Sequence, residues 1–222
     1  MRTLVKLLLA GLLASQLGLA WANGGGSMPS MPRIETPQQR ARDAYNDGVH
    51  LVKKADSAQD YALHASDAAK KDKALHEAQG DYAAALERFK QAVGLDDSLA
   101  EGWNYVGYTS RKLGHYDDAL AGYAKALTLK PGYPDALEYR GEAYLGLSRI
   151  PDAQQSYLDL YAGNRALAGK LLSAMKAWST AQRAAAANVA NLDEFDKWIQ
   201  EREQIAGQTA SLTRAGAAAS WR

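Results

Sequence analysis

No cysteine occurs among the 222 residues, and phenylalanine occurs only twice, against twelve tyrosines and five tryptophans. The first absence excludes disulfides, thiolate metal sites and a lipid-bearing cysteine, so the chain depends on packing alone. Neither sign of charge is in excess: 26 Lys and Arg face 25 Asp and Glu, with no basic stripe, which argues against nucleic acid as a partner. Catalytic signatures are missing too. There is no H-E-x-x-H and no G-x-S-x-G, and "GNRALAGKL" at 163–171 has the wrong glycine-to-glycine spacing for a phosphate loop, with Leu171 where Ser or Thr is needed. The four histidines, His50, His64, His76 and His115, have no partner at metal-ligand spacing, and read as solvated helix residues. Asp96-Asp97 and Asp117-Asp118 sit where helices end or begin, so capping accounts for them. These absences predict no enzyme, no cofactor and no metal site.

One apolar run is present, at the start. Arg2 and Lys6 precede Leu7 to Ala20, and Ala20-Trp21-Ala22 has the A-x-A form of a signal-peptidase site. A membrane anchor is the competing reading, but the run is short of the roughly 20 residues that a spanning helix needs, and Gln16 interrupts it. Residues 1–22 are therefore expected to be a signal peptide cleaved after Ala22, leaving a periplasmic or secreted chain with a slight acidic excess and no membrane span. The next stretch, "NGGGSMPSMPRIE", is too rich in Gly, Ser and Pro to bury itself, and 23–36 reads as a flexible leader.

From Thr36-Pro37-Gln38-Gln39, which has the form of a helix start with a capping box, the sequence is rich in Ala, Leu and charge and has hardly any β-branched runs. It reads as all-α. A period of 34 residues runs through it: Gly107, Ala119 and Tyr123 return as Gly141, Ala153 and Tyr157. Such a period is a mark of stacked helical hairpins. Two antiparallel helices approach closely only where side chains are small, so Gly107 is expected against Ala119, and Gly141 against Ala153, with Tyr123 and Tyr157 filling the gap to the next hairpin.

With the frame starting at Ala100, Trp103, Val106, Gly107, Gly114, Tyr116, Ala119, Tyr123, Ala126 and Pro131 fall at the signature positions of a tetratricopeptide repeat (TPR), a family this segment closely resembles. Residues 134–167 repeat the pattern, with Arg140 in place of a leucine and no closing proline. Gly80, Tyr82, Ala85, Phe89 and Ala92 match the second half of a preceding unit. The resemblance implies a right-handed superhelix of antiparallel hairpins, here with repeats at 100–133 and 134–167.

The first unit departs from the frame. Gly48 of "AYNDGVHL" lies 59 residues before Gly107, 25 more than one repeat. No Gly or Pro occurs between Val49 and Gln79, so residues 37–99 are expected to form a TPR-like hairpin lengthened by helical residues, with its tip near Ser66-Asp67. The alternative is one more degenerate helix within 56–79, with Gly80 as a regular turn. Downstream, Leu167, Leu171, Met175 and Trp178 share a helix face, and Asn191-Leu192-Asp193-Glu194 has the form of a capping box before Phe195, Trp198 and Ile199. Residues 168–206 read as helices capping the stack, and 207–222 as an unstructured tail.

In proteins of this family the first helix of each repeat lines a concave groove. That resemblance nominates Glu101, Asn104, Tyr108, Arg111 and Lys112 from one repeat and Asp135, Glu138, Glu142 and Leu145 from the next, flanked by Tyr105 and Tyr139. Asparagine and tyrosine suit the backbone and side chains of an extended peptide, and the charge divides into basic Arg111-Lys112 and acidic Asp135-Glu138-Glu142. The acids stand where some TPR domains place bases to clamp a C-terminal carboxylate, so a free carboxylate is a poor candidate ligand. The expected function is a periplasmic scaffold or adaptor that binds a protein or peptide segment without catalysis. The alternative is a structural subunit of an envelope complex, self-associating through the long hairpin or the capping helices.

Overall fold

A computed structural model of the chain describes residues 35–219; the expected signal peptide and most of the expected leader lie outside them. The described residues form eight helices and no strand: α1 (Pro37–His64), α2 (Ala68–Leu95), α3 (Ala100–Lys112), α4 (Tyr116–Leu129), α5 (Pro134–Gly146), α6 (Ile150–Gly163), α7 (Arg165–Ala184) and α8 (Leu192–Ala219). Consecutive helices pack as hairpins, and the hairpins stack into an all-α repeat solenoid through α2 on α3, α4 on α5 and α6 on α7.

Helix α1 opens on a capping box in which Gln39 N–H donates to Thr36 Oγ1 and Thr36 N–H to Gln39 Oε1, at 3.2 and 2.8 Å. It then runs for 28 residues, as α2 does, against 13 and 14 for α3 and α4. At 1.5 Å per residue the first hairpin is about 20 Å longer than the second. Small side chains allow so long a contact: Ala41, Ala44, Gly48, Ala55 and Ala62 of α1 are buried, with Ala74, Ala78, Ala85 and Ala92 of α2. Asp67 caps α2 by accepting from Lys70 N–H at 2.9 Å. Gly80, the residue that could have made a turn, lies inside α2 with open space where a Cβ would stand.

Gly114, 34 residues on, does make the turn, at φ 82°. It closes α3 with His115 N–H bonded to the Ser110 carbonyl and Gly114 N–H to that of Arg111. Ser148 takes the same place after α5 at φ 56°, with Arg149 N–H on the Tyr144 carbonyl and Ser148 N–H on that of Leu145. The motif thus persists without its glycine, because both hydrogen bonds are made by the backbone.

The close contacts differ from the pairs expected. A Cβ on Gly107 would stand 2.5 Å from the Tyr123 ring rather than against Ala119, and the backbone of Gly107 lies 2.8 Å from where Gly122 would carry one. Gly48 takes the Phe89 ring in the same way. The aromatic of the second helix therefore fills the notch that the glycine leaves on the first. In the last repeat the notch at Gly141 is filled by Leu171 of α7, not by Ala153, and Tyr157 turns to Tyr161 and Trp198, with centroids at 5.7 and 5.2 Å.

The end of the stack also departs from the expected boundaries. Asn164 alone separates α6 from α7 and caps α7 by accepting from Leu167 N–H at 3.1 Å, so the capping helices begin inside the 134–167 frame. Asn191 stands at φ 62°, and the expected side-chain cap is replaced by ion pairs from Arg183 to Asp193 and Asp196. Helix α8 continues to Ala219 through residues expected to lack structure, where Ala217 to Ala219 favour helix. Leu171, Met175, Phe195 and Ile199 bury themselves in one cluster with Leu160 and Tyr157.

Candidate functional site

Glu101, Asn104, Tyr108 and Arg111 recur at three- and four-residue intervals and form one stripe of α3; Asp135, Glu138, Glu142 and Leu145 form the matching stripe of α5. The two stripes meet. Arg111 pairs with Glu142, and the Tyr108 and Tyr139 rings lie 5.0 Å apart. None of these residues is fully exposed, and Asn104 and Glu138 are buried, at 3% and 6% exposure.

Tyrosines run along this face from α1 to α5. Tyr45 meets Tyr105 edge-on at 5.7 Å, Tyr105 stacks on Phe89 at 4.7 Å, and Tyr105 meets Tyr108 at 6.2 Å. Burial raises every one of their hydroxyl pKa values: those of Tyr45 and Tyr139 reach about 12, and neighbouring carboxylates, Glu138 and Asp135 at Tyr139, push the same way. Tyr105 and Tyr108 are raised as well, the latter by burial and by its hydrogen bond to Asp56. All stay protonated near neutrality; Tyr108 donates its hydroxyl to Asp56, while Tyr45, Tyr105 and Tyr139 keep a donor for a carbonyl or carboxylate.

The basic residues nominated from the sequence are engaged inside the chain. The Arg111 guanidinium lies 5.4 Å from the Tyr108 and Tyr139 ring centres while pairing with Glu142; burial works against its charge, but Glu142 and the tyrosines keep its pKa above the ordinary value. Lys112 donates to Gln59 Oε1 and stands 3.8 Å from Asp56, with its pKa lowered by burial despite that carboxylate. Asp56 also accepts from the hydroxyls of Tyr82 and Tyr108, at 2.5 and 2.7 Å. The extension of α1 thus reaches the end of α3 and clasps it, so that Tyr108, expected to face an open groove, is half-buried and bonded. The proposed division into a basic and an acidic half gives way to internal pairs on one side and unpaired acids on the other. Glu101 pairs with Lys130 at 2.9 Å, and that hydrogen bond holds its carboxyl below the usual range.

Beside the clasp lies a cavity of about 410 Å³ whose walls include Gln59, Arg111, Lys112, Glu142, Leu145 and Trp178. Tyr45 was within reach of sequence reasoning, because a frame placed on Gly48 puts it at the fifth position, where Asn104 and Glu138 stand. Asp56 and Gln59 were not, since they lie on the insertion, which has no counterpart in the repeat.

Among the described residues no three His, Asp or Glu side chains converge as metal ligands, and no helix is long and apolar enough to cross a membrane.

Residues 75–134 and 107–169 match the tetratricopeptide repeat family. The chain is also 30% identical over 124 residues, 53% of its length, to a heat shock protein sti1 homolog of Schizosaccharomyces pombe, of which it spans only 20%. Over its central hairpins the chain is similar, in sequence as in its stacked helix pairs, to tetratricopeptide-repeat proteins, a repeat type that mediates protein–protein interaction.

Proposed function

We propose that this is an exported, non-catalytic adaptor whose face formed by α1, α3 and α5 holds an extended segment of another protein. The run of half-buried tyrosines from Tyr45 to Tyr139 carries this reading: ring faces suit a partner's side chains, and hydroxyls and the Asn104 amide suit its backbone. A scaffold already shaped by packing loses little ordering entropy on binding. Kinship with repeats that bind proteins supports the class of partner, and the apolar run with its A-x-A site supports export. The test is a photo-crosslinking residue placed at Tyr105 or, as a control, at exposed Leu158, followed by sequencing of the crosslinked peptides. One continuous segment of one protein, captured at 105 and not at 158, is the expected result. Equal capture at both positions would remove the groove from consideration.

A second reading rests on the tip of the first hairpin, where Tyr61 and Leu63 are 52% and 74% exposed. Self-association through that tip would make the chain a structural subunit. Light scattering distinguishes the two: a monomer favours the adaptor, and an oligomer dissolved by Tyr61→Ser with Leu63→Ser favours the subunit.

A further inference from the structure

The groove already contains one filled cation site. Glu142 receives the Arg111 guanidinium, which lies over the rings of Tyr108 and Tyr139. One helical turn earlier on the same stripe of α5, Glu138 is 6% exposed and makes no hydrogen bond or ion pair among the described residues. Its counterpart one repeat back, Asn104, is 3% exposed with a buried Oδ1 that has no hydrogen-bond partner. Asp135, one turn before Glu138, likewise has no cation within ion-pair distance among the described residues. These groups are all acceptors. The charges acting on Glu138 are the carboxylates of Asp135 and Glu142 against the cations of Lys170 and Arg111. With Glu138 itself, three negative charges face two positive ones.

A partly desolvated carboxylate that no protein cation pairs costs the folded chain stability, and because the Glu138 oxygens still reach the surface they remain open to a donor from outside. We infer that Asn104, Asp135 and Glu138, beside the rings of Tyr105 and Tyr139, form a pocket for one cationic side chain, a lysine or arginine of the bound segment. This rests on the reading of the face as a peptide groove, and narrows the partner to a segment with a basic residue at its centre. The ligand supplies what the pocket lacks: N–H donors for Glu138 and Asn104, one positive charge, and a flat or alkyl surface for the tyrosines. Arg111 shows that this floor holds a guanidinium.

The test uses the whole chain and three fluorescein-labelled, end-blocked octapeptides, (Ala-Arg)4, (Ala-Gln)4 and (Ala-Glu)4, with binding read by anisotropy at low salt. The arginine peptide should bind at least tenfold more tightly than the glutamine one. Glu138→Gln, with or without Asp135→Asn, should abolish that preference without lowering the melting temperature, because it removes a partly desolvated charge that no protein cation pairs. Glu77→Gln on the exposed face of α2 should leave the preference intact. If the arginine and glutamine peptides bind alike and Tyr105→Ala weakens both, the cation pocket is refuted and the groove stands. If Glu77→Gln costs as much as Glu138→Gln, the attraction is diffuse surface charge and the pocket is refuted. If none of the three peptides binds, pocket and groove fall together.

Discussion

The clasp between the α1 extension and α3 allows a quantitative test. Asp56 accepts from two phenols, buried Tyr82 at 2.5 Å and half-buried Tyr108 at 2.7 Å, and attracts Lys112 at 3.8 Å. Hydrogen bonds to a charged acceptor contribute about 1.5–3 kcal/mol each. The Asp56 side chain is 43% exposed, which places both bonds at the low end of that range, and Tyr82 keeps a second partner in Gln59 at 3.2 Å. Asp56→Ala should therefore cost about 2 kcal/mol, of which Tyr108 loses the larger share because it has no other acceptor. In a domain of this size that lowers Tm by about 4–8 °C. Tyr108→Phe alone should cost about 1 kcal/mol, and the double mutant should cost less than the sum of the singles, since the shared bond can be lost only once. Thermal melts followed by circular dichroism supply all four values. If Asp56→Ala melts with the parent, or if the two substitutions add without coupling, the extension is not held to α3 through this carboxylate, and Tyr108 is the open groove residue that its place in the repeat suggests.

Two glycines should respond in opposite directions. Gly122→Ala puts a Cβ 2.8 Å from the Gly107 backbone, which cannot swing aside, and should cost about 1–3 kcal/mol, whereas Gly80→Ala meets open space in mid-helix and should gain about 1 kcal/mol; denaturant midpoints report both. Burial first, and then Glu142, holds the Glu138 carboxyl above its ordinary range. A folded pKa above the unfolded one means that ionisation costs stability as pH rises through the carboxylate range, so Glu138→Gln should raise Tm at pH 7 and have little effect at pH 4. Export predicts an intact mass beginning at Asn23 for the secreted product, and retention of the full precursor in the inner membrane would refute cleavage after Ala22.

The repeat architecture was legible because it is written in residues with few substitutes. Gly107 recurs as Gly141 because a first helix needs a notch, and Tyr123 recurs as Tyr157 because a hairpin needs a large aromatic. What fills each notch was not legible. The same spacing serves Gly107, which takes the Tyr123 ring from its own hairpin, and Gly141, which takes Leu171 from the capping helix. That choice depends on whether another repeat follows, and a period cannot report where it stops. Ser148 shows the converse: its left-handed turn forms without the glycine that Gly114 supplies one repeat earlier, because backbone hydrogen bonds hold it.

The face that α3 and α5 share was legible as a list of positions but not as a distribution of charge. Position along a helix says which face a side chain occupies; it does not say whether an opposite charge on another helix already neutralises it. Arg111 and Lys112 both read as free cations by spacing. In the fold Glu142 takes one, from the neighbouring repeat, and Asp56 with Gln59 holds the other, from an insertion outside the period. The acids are left in surplus for the same reason. Lys130 reaches back to Glu101, but the equivalent of Lys130 one repeat later is Asn164, which caps α7 instead, so Asp135 has no such partner. One cap therefore both shortens the junction to the terminal helices and leaves Asp135 unpaired beside Glu138 on the face that α3 and α5 share.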